Sequence, residues 1–170
     1  MLAAWDTLHA ATKNRHKKEE TQVDTRPRVL VVDDVALNLE LLRHLLDSTY
    51  EVILAQDGAS ALDLAGLSPF PDLILLDVMM PKMSGFQVCA RLKREPGTAD
   101  IPIVMVTALN EVADVERARD CGANDFITKP VNKAELLMRV RSQLQVALLQ
   151  EKQQRLLAEL RRMSSGGTGG

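Results

Sequence analysis

Cysteine is nearly absent from this chain: Cys89 and Cys121 are the only two, and neither has a CxxC partner. That leaves no disulfide framework and no cysteine-based zinc site, and it predicts reduced thiols. Aromatic residues make up 3% of the sequence, so a core must be built from aliphatic side chains. No apolar run approaches the ~20 residues of a membrane-crossing helix. The opening MLAAWDTLHAAT has no basic start and is interrupted by Asp6 and His9, which argues against a signal peptide. A cytoplasmic protein without membrane contact is therefore expected. The three histidines, His9, His16 and His44, have no acidic residues at ligand or triad spacing and read as surface residues.

With 170 residues, 46% of them hydrophobic and 26% charged, the chain can hold one globular domain and an appendage. Charge is unevenly spread. Residues 27–132 carry nine basic and sixteen acidic side chains, a net −7, whereas 133–170 carry seven and three, a net +4. An acidic core argues against direct nucleic-acid binding by that part of the chain, since phosphate affinity needs clustered cations. The basic C-terminal segment reads as a solvated helix face.

Residues 13–27, KNRHKKEETQVDTRP, are almost without apolar side chains and read as a flexible charged leader; residues 1–12 can form a short amphipathic helix. From Arg28 onward five short apolar runs recur: Val29–Val32, Val52–Ala55, Leu73–Leu76, Ile103–Val106 and Phe126–Ile127. Such runs suit strands buried on both faces of a parallel sheet. Helical patterns separate them. Leu37, Leu41, Leu42 and Leu45 mark the first, and Ala59, Leu62 and Ala65 the second. The third opens at Ser84, carries Phe86, Val88 and Leu92 and stops at Pro96-Gly97, and the fourth runs from about Glu111 to Cys121. This alternation predicts a doubly wound α/β domain. A last helix starts near Asn132 and meets no stop before Ser164. Its apolar positions follow Leu137, Val140, Leu144 and Ala147, then shift to Leu149, Leu156, Leu160 and Met163. The second set has heptad-like spacing over about two heptads and suggests a coiled coil; fraying after Gln150 is the alternative. The expected organisation is a leader at 1–27, a domain at 28–145, a helical extension at 146–163 and a Gly/Ser tail at 164–170.

In an open parallel sheet, ligands bind beyond the carboxyl ends of the strands. Asp33 and Asp34 follow the first run, Asp77 the third and Thr107 the fourth, and Lys129 comes just after the fifth. Three carboxylates on one edge repel one another, and a hard divalent cation such as Mg²⁺ relieves that repulsion. Asp77, central in the set, can act as a nucleophile toward phosphorus and form an acyl phosphate. The Thr107 hydroxyl and the Lys129 ammonium can then neutralise phosphoryl oxygens. Asn38, one helical turn beyond Asp34, can also face this edge.

The segments VVDD (31–34), LILLDVMMPKMSG (73–85), VMVTA (104–108) and DFITKP (125–130) together resemble response-regulator receiver domains of two-component signalling. The intervals are 43 residues from Asp34 to Asp77, 30 more to Thr107 and 22 more to Lys129. The resemblance covers about residues 27–145. It implies a flavodoxin-like sheet of strand order 2-1-3-4-5 with helices on both faces. It further implies that Asp77 is the phospho-acceptor, Asp34 the direct and Asp33 the water-mediated Mg²⁺ ligand, and Met79 a ligand through its backbone carbonyl. Thr107 and Lys129 correspond to the pair that senses the phosphoryl group, and Phe126 to the switch aromatic. A sensor histidine kinase or phosphotransfer protein is the implied donor, and the heptad-like spacing of the C-terminal helix adds the expectation of a homodimer through it, so that switching alters dimerisation or contact with an output partner. Such a domain is not an enzyme in the ordinary sense: it catalyses only its own phosphorylation and dephosphorylation. Met79 and Leu109, two residues after Asp77 and Thr107, are apolar and cannot orient an attacking water, so slow phosphoryl loss is expected. Two other readings are a haloacid-type phosphohydrolase, which wants an acid where Met79 stands, and a scaffold receiver that is never phosphorylated.

Overall fold

The computed structural model describes residues 26–108, 116–117 and 119–165. Five strands, β1 (Arg28–Val32), β2 (Glu51–Ala55), β3 (Leu73–Asp77), β4 (Ile103–Thr107) and β5 (Asp125–Thr128), form one sheet in the order β2-β1-β3-β4-β5. Every pairing is parallel. Each apolar run became a strand, but β3, β4 and β5 extend one residue beyond the runs at their carboxyl ends. The ladder pairs Asp77↔Val106 and Thr107↔Thr128 place these polar residues inside strands. Backbone pairing does not require an apolar side chain, so the pattern of side chains marks the strand end one residue early.

Four helices are described: α1 (Ala36–Leu46), α2 (Gly58–Ala65), α3 (Gly85–Arg94) and α4 (Lys133–Ser165). Local chemistry sets their starts. Asp57 and Ser84 each accept a hydrogen bond from the backbone three residues on and form capping boxes with Ser60 and Gln87. Asn132 Oδ1 accepts from the amides of Ala134 and Glu135 at 2.9 and 3.1 Å, so the expected cap at the head of α4 is present. Of the helix expected between Glu111 and Cys121, residues 116–117 and 119–120 are helical and Cys121-Gly122 is a turn, with Gly122 at φ 89°. The rest of that helix lies outside the described residues, as do Leu109, the leader through residue 25 and the tail from 166.

The sheet is covered on both faces. On one, Leu39, Leu42 and Leu46 of α1 and Leu136 and Val140 of α4 pack on Val29, Val31, Leu73, Leu75, Val104, Val106 and Ile127. On the other, Ala61 and Ala65 of α2 and Val88, Cys89 and Leu92 of α3 pack on Leu30, Val32, Ile74, Leu76, Ile103 and Met105. Alternate residues of each strand thus feed opposite layers. The expected inner face of α1 needs correction: Leu37 and Leu41 point to solvent, and Ala59 of α2 is likewise exposed. An extra apolar residue on a helix blurs its period, and only contact with the sheet selects Leu39, Leu42 and Leu46 as the buried stripe. Met80 is buried and Met83 half-buried as filler, whereas Met79 is exposed.

At 33 residues, α4 is about 50 Å long, and it continues through Gln150 to Ser165 without fraying. Only its first turns rest on the sheet. From Leu148 on, each residue whose side chain is described is exposed, Leu149, Leu156, Leu160 and Met163 included. No helix among the described residues is long and apolar enough to cross a membrane.

Candidate functional site

Register assembles the site. Val32 lies opposite Leu76, so the next residues in each strand direction, Asp33 and Asp77, meet at the carboxyl edge between β1 and β3. The sheet order reverses there, because β1 is followed on one side by β2 and on the other by β3. One oxygen each from Asp33, Asp34 and Asp77 lies within 4.8 Å of the others. Asp33 and Asp77 are buried and Asp34 is exposed, so the cluster opens to solvent on one side. Lys129 Nζ bridges the buried pair, at 2.9 Å from Asp33 Oδ2 and 2.8 Å from Asp77 Oδ1.

The surrounding backbone holds these groups in place. Lys129 N donates to the Thr107 carbonyl at 2.7 Å, Val78 N to Val106 O at 3.1 Å and Asp33 N to Ala55 O at 3.2 Å. Asp33 Oδ1 also accepts from Val35 N at 2.9 Å, and both its oxygens accept from Asn38 Nδ2 at 3.1 and 3.0 Å. Asn38 does face the site, through Asp33 rather than Asp34. Gly85 was not evident from the sequence as a site residue. Its amide donates to Val78 O at 2.9 Å, and a Cβ there would stand 2.1 Å from the Asp77 carbonyl oxygen. The loop 78–84 returns so closely to its own strand that only glycine fits. A glycine directly after the cap Ser84 is the one signal the sequence offers for this.

Electrostatics agree with the crowding. Burial pushes the Asp77 carboxyl above its ordinary range, outweighing the hydrogen bond and charge of Lys129, while Asp33 and Asp34 push it the same way. Burial opposes the Lys129 ammonium too, but its bonds to Asp77 and Asp33 leave its pKa raised. A desolvated, like-charged carboxylate group held at three points suits a hard divalent cation. The donor set therefore fits Mg²⁺, with Asp33, Asp34 and Asp77 as the residues that would hold it.

Of the other residues expected at the site, Thr107 is buried at the end of β4, next to Asp77's strand. Phe126 in β5 is half-buried against the α2–α3 layer, and the Arg139 guanidinium of α4 lies 5.8 Å from its ring centroid. The Met79 side chain is exposed and contributes no acid. The Lys129-Pro130 peptide is cis.

The family model for the response regulator receiver domain matches residues 29–141. The chain belongs to this family. Among curated proteins, the receiver resembles the response regulator PleD of Caulobacter vibrioides at 45% identity over 137 residues, 80% of this chain and 30% of PleD. It also resembles RpaA of Synechocystis, a DNA-binding transcriptional regulator, at 44% over 125 residues, 69% of this chain and 49% of that protein. The chain thus spans between about a third and a half of the length of these relatives. Among solved structures, the receiver domain of a signal transduction histidine kinase from Syntrophus aciditrophicus shares 38% identity with a TM-score of 0.65, covering 70% of this chain and 90% of that one. The chemotaxis protein CheY4 of Vibrio cholerae shares 32% with a TM-score of 0.65, covering 69% and 98%. The receiver is a two-component signalling domain with the five-stranded 2-1-3-4-5 sheet of those structures.

Proposed function

We propose that this receiver accepts a phosphoryl group on Asp77 from a histidine kinase or phosphotransfer protein, with Mg²⁺ at Asp33, Asp34 and Asp77 and a ligand from the Met79 backbone carbonyl. The observation that carries the reading is the buried Asp77 carboxylate set between a lysine and two further carboxylates at the switch point of the sheet. A carboxylate oxygen attacks phosphorus as the donor nitrogen departs, giving an acyl phosphate on Asp77. Mg²⁺ held by these carboxylates would supply neutralisation of the charge that gathers on the phosphoryl group. Lys129, already paired with Asp77, balances the added negative charge, and the Thr107 hydroxyl donates to a phosphoryl oxygen. Phe126 then turns inward behind Thr107, which shifts the face formed by β5 and α4.

The output we assign to that shift is a change in homodimer packing along residues 133–163, whose far part, 146–163, is an extension distinct from the receiver proper at 28–145. The exposed Leu149, Leu156, Leu160 and Met163 support it, since they give an isolated chain no benefit. A phosphohydrolase of the haloacid type is disfavoured by Met79, and an unphosphorylated scaffold by the complete Asp33, Asp34, Asp77, Thr107 and Lys129 set. The site of action is the cytoplasm, where kinase and divalent cation are available.

The test is incubation with acetyl phosphate and Mg²⁺, wild type against Asp77→Asn, read by phosphate-affinity gel and light scattering. Modification of the wild type alone, with a change in mass distribution, is the expected result. Equal modification of both proteins refutes Asp77 as acceptor, and an unchanged mass refutes phosphorylation-driven dimerisation.

A further inference from the structure

Cys89 and Cys121 stand 32 residues apart with no motif joining them, yet the fold brings them together. Cys89 lies on the inner face of α3, fully buried, and its thiol donates to the Cys121 carbonyl oxygen at 3.3 Å. Cys121 is half-buried at the turn before β5, so this hydrogen bond sets the Cys89 sulfur directly against the residue that carries the second thiol. Four residues before Cys121, the Arg117 guanidinium sits 5.3 Å from the centroid of the Phe86 ring at the start of α3. Neither thiol takes part in the carboxylate rim.

The pair is chemically unequal. Hydrogen bonding from Cys89 holds the Cys121 thiol down, at about 7, against its partial burial. The same bond and full burial push the Cys89 thiol up. Lys93, one turn after Cys89, anchors its ammonium on the carbonyls of Ala99 and Ile101 at 3.0 and 2.8 Å, where its charge favours a thiolate nearby. An accessible thiolate beside a shielded neutral thiol is the arrangement of an attacking and a resolving cysteine.

We propose that Cys121 and Cys89 are a peroxide-sensitive dithiol pair that closes to an intramolecular disulfide, stapling α3 to the turn that feeds β5. The Cys121 thiolate attacks one oxygen of hydrogen peroxide; the O–O bond breaks and hydroxide leaves, taking up a proton to become water. Sulfur is thereby oxidised to sulfenic acid. The Cys89 sulfur then attacks it, giving up its proton; the S–S bond forms, the S–O bond breaks and a second water departs. Two thiols and one peroxide yield one disulfide and two waters, with two electrons passing from sulfur to peroxide.

The experiment treats the reduced full chain with a small excess of hydrogen peroxide at neutral pH, blocks remaining thiols with N-ethylmaleimide, and reads intact mass and a non-reducing peptide map. The expected product has lost two hydrogens, takes no maleimide, contains a Cys89–Cys121 linked peptide and reverts with dithiothreitol. Cys121→Ser slows oxidation at least about tenfold, because the remaining thiol is buried and protonated. Cys89→Ser stops at a sulfenic acid that dimedone traps. The proposal is overturned if the wild type keeps both thiols where free cysteine is oxidised, if linked peptides join two chains only, or if Cys121→Ser reacts as fast as the wild type. The wild-type peptide map decides the linkage even where a variant fails to fold.

Discussion

The carboxylate rim and the overhanging half of α4 are opposite solutions to placing functional groups. The rim is assembled from β1, β3, β4 and β5 together with the loop to α1, and its Asp33, Asp77 and Lys129 side chains are held across segments by one another and, at Asp33, by Asn38. It concentrates unfavourable charge inside the fold, as the raised Asp77 pKa records. Among the described residues the overhang is one helix whose side chains from Leu148 to Ser164 are all exposed, and its unfavourable feature is that exposed apolar surface. Burial makes the first precise at a cost in stability. Exposure leaves the second free to meet a partner at almost no cost to the receiver.

Mutations that cross this boundary separate the two regions most sharply. Leu136, in the docked part of α4 and fully buried, should lose ~2–5 kcal/mol of stability as Leu136→Ala in urea unfolding. Gly85→Ala forces a methyl group onto the Asp77 carbonyl; ~1–3 kcal/mol lost together with impaired phosphoryl uptake is the expected outcome, and a silent substitution would contradict the tight loop.

Asp77→Asn should act in the other direction, raising stability by roughly 0.5–2 kcal/mol at neutral pH in thermal melts without Mg²⁺. The sign follows from the raised folded-state pKa: as pH climbs, the unfolded chain releases this proton first, and the native state loses stability until it too ionises. The advantage of Asn should therefore shrink as pH falls below the ordinary carboxylate range, and a gap independent of pH would rule out the charge as its cause. Mg²⁺ should narrow the same gap by stabilising the wild type alone.

The smallest effect on folding belongs to the overhang. Leu156→Ser and Leu160→Ser should change receiver stability by no more than about 0.5 kcal/mol while abolishing any self-association seen by light scattering. Slow phosphoryl loss, expected from Met79 and Leu109, is checked by following the decay of the phosphorylated band; a half-life of seconds would contradict it.

Much of this was readable because strands announce themselves by short apolar runs, and the polar residues that end them stand out. Asp33, Asp77, Thr107 and Lys129 all lie at such ends, and the caps Ser84 and Asn132 behave as their types require. Less readable was which face of an amphipathic helix turns inward. Leu37 and Leu41 fit the period of α1 as well as Leu39 and Leu46 do, and only the sheet discriminates between them. Gly85 was hidden because a close approach between backbones leaves no mark on the residues approached.

By itself, then, the sequence determined the alternation of strands and helices and the acidic edge with its lysine, since both are local patterns of side-chain chemistry. The tertiary structure alone decided that Lys129 spans Asp33 and Asp77, that Asn38 serves Asp33, that burial outweighs the lysine at Asp77, and that Cys89 meets Cys121. Each of these depends on segments distant in the chain arriving at one place, and that requires the register of the sheet and the docking of its helices.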